Sequence, residues 1–221
     1  MYRVVIPAIL ALLLTGCGMA NSSISSGFAD SGQPTGALPT SRTTLRSDAD
    51  GGDSGSRPQK AAATSTNDRI PKGTYEKAPN GALADRDYSG TRLDAERARD
   101  LINAYRKENG LKPLKLNTSL VEAAKNHSRD LAKWDRISHY GSDGSNPWDR
   151  VKRAGYNAKL AAENVGTGQV TIDEVMKGWQ TSPGHNKNLL LSDASDMGIA
   201  LVQDNKTEFK TFWTLVVGSP L

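Results

Sequence analysis

The stretch from Trp179 to Leu190 constrains the fold of this chain more than any other part of its sequence. It reads Trp-Gln-Thr-Ser-Pro-Gly-His-Asn-Lys-Asn-Leu-Leu, which is typical of one helix ending and a second beginning after a sharp turn. Ser182 stands where it can cap the second helix, and Pro183 follows at the first helical position, where a missing N–H costs nothing. We expect His185 in the first turn with its side chain free. Two helices are therefore predicted to meet at this corner.

The amino-terminal residues predict export and a lipid anchor. Residues 4–14 form an apolar run of about 11 residues after a positive start, which is typical of a signal peptide and shorter than the ~20 residues that span a bilayer. Leu14-Thr15-Gly16-Cys17 then resembles the bacterial lipobox, which is cleaved before a cysteine that receives diacylglycerol. Residues 1–16 are thus predicted to be removed, and Cys17, the one cysteine of the chain, to carry the lipid. An ordinary signal peptide cleaved nearby is the alternative.

Residues 17–84 are predicted to form a disordered tether that holds the folded part off the membrane. They are rich in Ser, Gly and Asp, and large apolar residues are too sparse to offset the entropy of ordering the segment. A short helix or a docking strand within residues 70–83 is left open. The formal net charge of the 221-residue chain is +4 without a basic run, so no nucleic-acid partner is indicated.

A folded domain is predicted from residue 91 to residue 221. Apolar periodicity and caps predict helices ending at Asn109, starting at Asn117 or Thr118, opening at Pro147 and capped by Thr171. Strands are predicted near residues 161–168, 197–202 and 211–217, the last two joined by a hairpin turn at residues 204–206. Helices first and paired strands last predict an α+β fold with helices covering an antiparallel sheet.

The bulky and polar residues of this domain are mostly predicted to be structural. All four tryptophans lie in segments of apolar periodicity and are predicted to anchor the core: Trp134, Trp148, Trp179 and Trp213. His127 lies in the second predicted helix and is predicted to be a partly buried, hydrogen-bonded histidine instead of a metal ligand.

Six ordered segments of this domain resemble the bacterial branch of the CAP superfamily. They are Ser138-His139, residues 147–150 with Ala154-Gly155-Tyr156, Glu163-Asn164-Val165, residues 174–179, Ser182-Pro183-Gly184-His185 with Asn188, and Gly198-Ile199-Ala200. That superfamily includes cysteine-rich secretory proteins, antigen 5 and pathogenesis-related 1 proteins, also called SCP-like extracellular proteins. The resemblance implies a three-layer α-β-α sandwich with a small antiparallel sheet and a cleft on one side. Two positions depart from it, since relatives usually have Gly at Ala162 and often Arg at Asn186.

The resemblance also implies a cleft that carries two histidines and two acids. By motif these are His139, Glu163, Glu174 and His185, and the residues expected to line the cleft beside them are Tyr140, Asn164 and Asn188. Imidazole and carboxylate groups suit Zn²⁺ or another divalent cation. The same groups suit general acid–base catalysis, and a polar cleft with His–Glu hydrogen bonds but no function is the third alternative.

Three functions are compatible with this sequence. The first is an envelope-anchored binding protein whose cleft holds a lipid, a small ligand or a divalent metal, as the sterol-binding and lipid-binding eukaryotic members of the family suggest by analogy. The second is a hydrolase, resembling a metallopeptidase, and the third is a cell-wall interaction protein with an idle cleft. We prefer the first because the sequence identifies no oxyanion donor. Its predicted place is the cell envelope, and the outer membrane where the cell has one; the oligomeric state has no sequence signal.

Overall fold

A computed structural model describes residues 69–221 of this chain. The predicted signal peptide, Cys17 and the tether up to residue 68 lie outside the described residues. The elements follow in the order α1 (Ala95–Glu108), β1 (Lys115–Leu116), α2 (Thr118–Trp134), α3 (Pro147–Arg153), β2 (Ala158–Thr167), α4 (Ile172–Thr181), α5 (Pro183–Leu189), β3 (Asp196–Gln203) and β4 (Thr211–Pro220). Within residues 69–221, no helix has the length and apolar character that crossing a membrane requires.

The helices begin where the capping residues predict. The side chain of Asn117 accepts hydrogen bonds from the backbone N–H groups of Ser119 and Leu120 at the start of α2, and Thr171 caps α4 through the N–H of Glu174. The predicted cap of α5 is wrong in one respect. Ser182 holds the N-cap position, but its side chain makes no capping hydrogen bond, so the start of α5 relies on Pro183.

The strands form one four-stranded sheet in the order β1-β3-β4-β2. The predicted hairpin of β3 and β4 is confirmed, and β2 pairs antiparallel with β4 along its length. Strand β1 pairs parallel with β3 and was expected to be only an extended link, because two residues are too few to show a strand period. Strand β2 therefore forms one edge of the sheet.

Helices cover both faces of this sheet, which confirms the predicted three-layer sandwich. Because side chains alternate along a strand, Leu215 and Val217 of β4 pack against α1, α4 and α5. Val216, between them, packs with Ala200 of β3 against α2 and α3. These two faces are called the α5 face and the α2 face below.

The packed part of the chain begins earlier than the predicted domain start at Thr91. Residues 69–90, the N-terminal strap, bury Ile70, Leu83 and Tyr88. Glu76 also forms an antiparallel bridge with Ile137 just before His139, which agrees with the docking strand, one of the two possibilities that the sequence left open. Most of the strap was assigned to the predicted tether, because its sequence has no local apolar period. Its packing partners lie far away in the chain, so the sequence gives no local signal of them.

Two of the four tryptophans differ from the predicted core role. Trp179 and Trp213 are fully buried, but the side chain of Trp148 is 47% exposed. Helix α3 buries Arg150 and Val151 instead, so Trp148 lies on its outer side. Trp134 is partly buried, with cationic groups of Lys133 and Arg136 over its ring.

Candidate functional site

The candidate site is built around the edge strand β2. Glu163 is paired with Val216 and therefore points to the α2 face, whereas Asn164 is paired with Leu215 and points to the α5 face. One dipeptide thus supplies polar groups to both sides of the sheet. The predicted site residues divide between these two sides.

On the α2 face, Glu163 lies at the centre of a buried cluster of basic side chains. Its Oε2 accepts a 2.6 Å hydrogen bond from Nη2 of Arg150, and its Oε1 lies 2.9 Å from Nδ1 of His139. The Nε2 atom of His127 lies 3.5 Å from the same Oε1. The side chain of Glu163 is only 1% exposed, so these groups, and not water, determine its ionisation.

The carboxylate of Glu163 is ionised in this environment. Burial alone would raise its pKa, but the Arg150 guanidinium, together with His127 and His139, outweighs burial and holds the pKa of Glu163 below its usual range. An ionised carboxylate only accepts hydrogen bonds. Nδ1 of His139 therefore carries the hydrogen of the pair and donates it to Glu163.

His127 is a neutral member of the cluster. Its Nε2 lies 2.9 Å from the backbone oxygen of Ser138, which can only accept, so Nε2–H is the donor. Burial, followed by the positive charge of Arg150, lowers the pKa of His127 to about 4. The predicted hydrogen bond of His127 is confirmed at Nε2, although His127 is fully buried and closer to the site than its sequence context indicated.

His139 is the most exposed of the basic residues around Glu163, and one of its ring nitrogens is unpaired. Its side chain is 16% exposed, and within residues 69–221 its buried Nε2 has no hydrogen-bond partner. The ring of His185 lies nearby, with 6.5 Å between the ring centroids and 55° between the planes. The fold thus brings His139, Glu163 and His185 together, from a loop, a strand and a helix.

On the α5 face, the predicted cleft residues Asn164 and Asn188 form hydrogen bonds between α5 and strand β2. Asn188 donates through Nδ2 to the backbone oxygen of Glu163 and to Oδ1 of Asn164, each at 3.0 Å. Asn164 in turn donates to the backbone oxygen of His185 at 3.0 Å, and Nε1 of Trp179 donates to the oxygen of Val165 at 3.1 Å. Trp179 and Asn188 thus satisfy carbonyls of the edge strand, which as free groups could pair with another chain.

His185 differs from its expected surroundings, and Tyr140 belongs to the loop that carries His139. His185 is 2% exposed, so its side chain is buried instead of free, because α5 packs directly over β2. Tyr140 is partly buried, and its backbone N–H donates to Oγ of Ser138 at 3.0 Å. This hydrogen bond joins the residues on either side of His139 and so stabilises the loop that carries it.

Glu174 makes its hydrogen bonds away from this cluster. Both its carboxylate oxygens accept from Nη2 of Arg86, at 2.6 and 2.8 Å. Oε2 also accepts from the backbone N–H of Val170 at 2.8 Å. Glu174 therefore joins the N-terminal strap to the start of α4.

These contacts do not fit a metal ion held by all four predicted ligands. Each carboxylate is paired with a guanidinium group, Glu163 with Arg150 and Glu174 with Arg86, which a divalent cation would have to displace. In the described part of the chain, no group of three or more His, Cys, Asp or Glu side chains is arranged to hold a metal ion.

Sequence reasoning missed the two arginines that neutralise these acids. Arg150 lies in a motif that supports the family resemblance, and a charged residue on the buried face of a short helix was the available signal. Arg86 carries no such signal, because its partner Glu174 is 88 residues away.

The fold is that of a CAP domain. The chain matches the family model CAP, Cysteine-rich secretory protein family, over residues 99–217, and it belongs to that family. The resemblance inferred from the six motifs is thus confirmed.

Two proteins of Bacillus subtilis are similar to this chain in sequence. The chain is 29% identical over 180 residues to YkwD, an alignment that covers 80% of this chain and 61% of YkwD. It is 30% identical over 102 residues to the membrane protein YlbC, covering 46% of this chain and 30% of YlbC. This chain therefore spans less than two thirds of the length of either relative.

Two solved structures with the same fold are an extracellular protein and an outer surface protein of bacteria. An extracellular SCP-domain protein from Bacillus anthracis matches with a TM-score of 0.50 and 25% identity, covering 56% of this chain and 39% of that chain. An outer surface protein from Borrelia burgdorferi matches with a TM-score of 0.53 and 20% identity, covering 60% of this chain and 99% of that chain.

Proposed function

We propose that this protein is an envelope-anchored, extracytoplasmic CAP-domain lipoprotein that binds a small polar ligand at His139. The export signal and the lipobox that ends at Cys17 support the anchor. The extracellular SCP-domain protein of Bacillus anthracis supports a location outside the cytoplasm. The ligand site is argued from the geometry around Glu163.

The proposed binding site rests on one observation, the hydrogen bonding of the two ring nitrogens of His139. Glu163 holds Nδ1 as a hydrogen-bond donor at 2.9 Å, so the ring orientation is fixed before any ligand arrives. Within residues 69–221, the opposite nitrogen, Nε2, is buried without a partner, which is costly unless a ligand or water satisfies it. A ligand with a hydroxyl or amine donor would satisfy Nε2.

A hydrogen-bonded ligand is favoured over a metal ion or hydrolysis. The pairing of Glu163 and Glu174 with arginines leaves no free carboxylate for the predicted four-ligand Zn²⁺ site. For hydrolysis, a carboxylate–imidazole pair is in place, but Oγ of the adjacent Ser138 donates to the backbone oxygen of Thr74 at 2.6 Å. That bond engages the hydroxyl in a structural contact, which argues against its use as a nucleophile.

Calorimetric titration with Zn²⁺ separates the two kinds of ligand. We expect Glu174→Gln to leave any Zn²⁺ binding of the full chain unchanged, because Glu174 serves the strap. Equal loss of a one-to-one Zn²⁺ site in His139→Gln and Glu174→Gln would contradict the hydrogen-bonded ligand and establish the metal site that the sequence predicts.

Metabolic labelling with a fatty-acid analogue tests the anchor separately. The wild-type chain is expected to take up the label and Cys17→Ser to lose it, because only a cysteine thiol receives the lipid at this motif. Equal labelling of both chains would contradict a lipid at Cys17.

A further inference from the structure

A cavity of about 350 Å³ lies between α2, the loop of residues 141–145 and α3. Its volume falls within the range of small-molecule sites. His139, Glu163 and His185 are not part of its lining, but His127 and Arg150, which contact Glu163, are, so the cavity adjoins the proposed ligand site. It is lined by polar groups of Glu122, Asn126, His127, Asp130, Asp143 and Arg150, among others.

Two buried lining residues each retain an unsatisfied nitrogen. Within residues 69–221, Nδ1 of His127 and Nε of Arg150 have no hydrogen-bond partner. Because Nε2–H of His127 is the donor to Ser138, Nδ1 is a lone-pair acceptor. The Nη atoms of Arg150 are engaged by Ser145, His139 and Glu163, which leaves Nε–H as its donor. The residues that line the cavity thus include one unpaired acceptor, on His127, and one unpaired donor, on Arg150.

The rest of the lining carries a net negative charge. The charge of Arg150 is balanced by Glu163, and Arg153 pairs with Asp143 at 2.8 Å. Asp130 and Glu122 remain as acids, although Asp130 also accepts hydrogen bonds from the N–H and Oγ of Ser142, at 2.6 and 2.5 Å. An anionic ligand would be repelled here, whereas a neutral or cationic one would not.

We propose that this cavity binds a small polyhydroxylated molecule without negative charge, of the size of a monosaccharide. A hydroxyl group donates one hydrogen bond and accepts others, so it can satisfy an imidazole nitrogen and a guanidinium N–H at the same time. Further hydroxyl groups match the amide of Asn126 and the carboxylates at the mouth. This site goes beyond the proposed function and does not depend on it.

The charge preference can be tested with three compounds that share one sugar ring and differ in charge: glucose, glucosamine and glucose 6-phosphate. Titrated into the full chain and followed by NMR, glucose and glucosamine are expected to give saturable shifts at residues of the cavity. Glucose 6-phosphate is expected to bind at least tenfold more weakly than either. Absence of saturable binding by both glucose and glucosamine, or tighter binding of glucose 6-phosphate, would overturn the proposal.

Neighbouring positions of α2 supply a matched pair of variants. Asn126 and Lys125 are both exposed, so either is expected to accept Trp without unfolding the domain, but only Asn126 lines the cavity. Asn126→Trp is expected to abolish sugar binding and Lys125→Trp to retain it; loss in both, or in neither, would overturn the site. His139→Gln is expected to leave sugar binding unchanged. This variant therefore tests the cavity and the proposed ligand site at His139 independently of each other.

Discussion

Burying the carboxylate of Glu163 is unfavourable unless positive charge accompanies it. Arg150 supplies that charge through a 2.6 Å contact and also donates to the backbone oxygens of Ser145 and His139. The same guanidinium therefore neutralises Glu163 and fixes the loop that carries His139. At the scale of single residues, charge balance and site geometry depend on one arginine.

The burial of His127 predicts a pH dependence of stability. The unfolded ring takes up a proton near pH 6.5, whereas the folded ring does so only near pH 4. Between these values the unfolded state binds more protons, so the free energy of unfolding falls by about 3 kcal/mol as the pH drops from about 6.5 to about 4. Urea unfolding at several pH values measures this. His127→Gln should flatten the dependence over that window, and an unchanged curve would contradict the buried neutral ring.

Gly198 is the point of closest approach between the sheet and α2. A Cβ atom there would overlap the backbone of Leu120 and Val121, which cannot move as a flexible side chain can. Gly198→Ala is expected to lower the free energy of unfolding by about 1–3 kcal/mol through overpacking. Gly178 of α4 is the control, because a Cβ there meets nothing within 4 Å.

Gly178→Ala is therefore expected to raise stability by about 0.5–1 kcal/mol, the usual gain from replacing glycine inside a helix. Denaturant unfolding of both variants gives the comparison. Equal effects of the two substitutions would contradict direct packing of α2 on β3.

At the scale of elements, the corner between α4 and α5 closes the edge of the sheet. Trp179 from α4 and Asn188 from α5 donate to outward carbonyls of β2 two residues apart. Carbonyls two residues apart in a strand point to the same side, and the short turn at Ser182 lets one helix pair reach both. The motif that constrains the sequence most is therefore the one that covers the edge strand.

The N-terminal strap is expected to stabilise the loop before His139. The N–H of Ile137 donates to the backbone oxygen of Glu76 at 2.9 Å, and Leu83 and Tyr88 are buried. A chain starting at Thr91 should be less stable than one starting at Arg69 by about 3 kcal/mol or more, since it loses the burial of two large side chains.

Hydrogen exchange at the amide of Ile137 reports this contact directly. Exchange should be faster in the chain that starts at Thr91 and unchanged in the chain that starts at Arg69, relative to the full chain. Equal protection in all three chains would contradict a stabilising strap.

The elements with local signals could be predicted from the sequence, and the contacts between distant residues could not. Asn117, Thr171 and the Asp204–Lys206 turn act through neighbouring backbone groups, so their pattern is local. The pairing of Glu174 with Arg86 depends on how the strap crosses the domain, which no spacing reveals. Of the four residues that the motif resemblance grouped, His139 lies next to both Glu163 and His185, whereas Glu174 makes its hydrogen bonds elsewhere.

At the scale of the whole molecule, the predicted anchor and the folded domain have separate roles. Cys17 would hold the protein at a membrane, while residues 69–221 form the three-layer sandwich, with the proposed ligand site at His139 beside the edge strand. Because Glu163 orients His139 through contacts within the domain, ligand binding is expected to be independent of the lipid. Cys17→Ser should therefore bind the same ligand as the wild-type chain.

Native mass spectrometry of the full chain purified from its own cell envelope tests the central claim most directly. The wild-type protein and the surface control Lys125→Gln should both carry a bound small molecule, whereas His139→Gln should lose it and remain folded by circular dichroism. The same bound mass in His139→Gln and wild type, or no bound molecule in any of the three chains, would contradict a ligand site at His139.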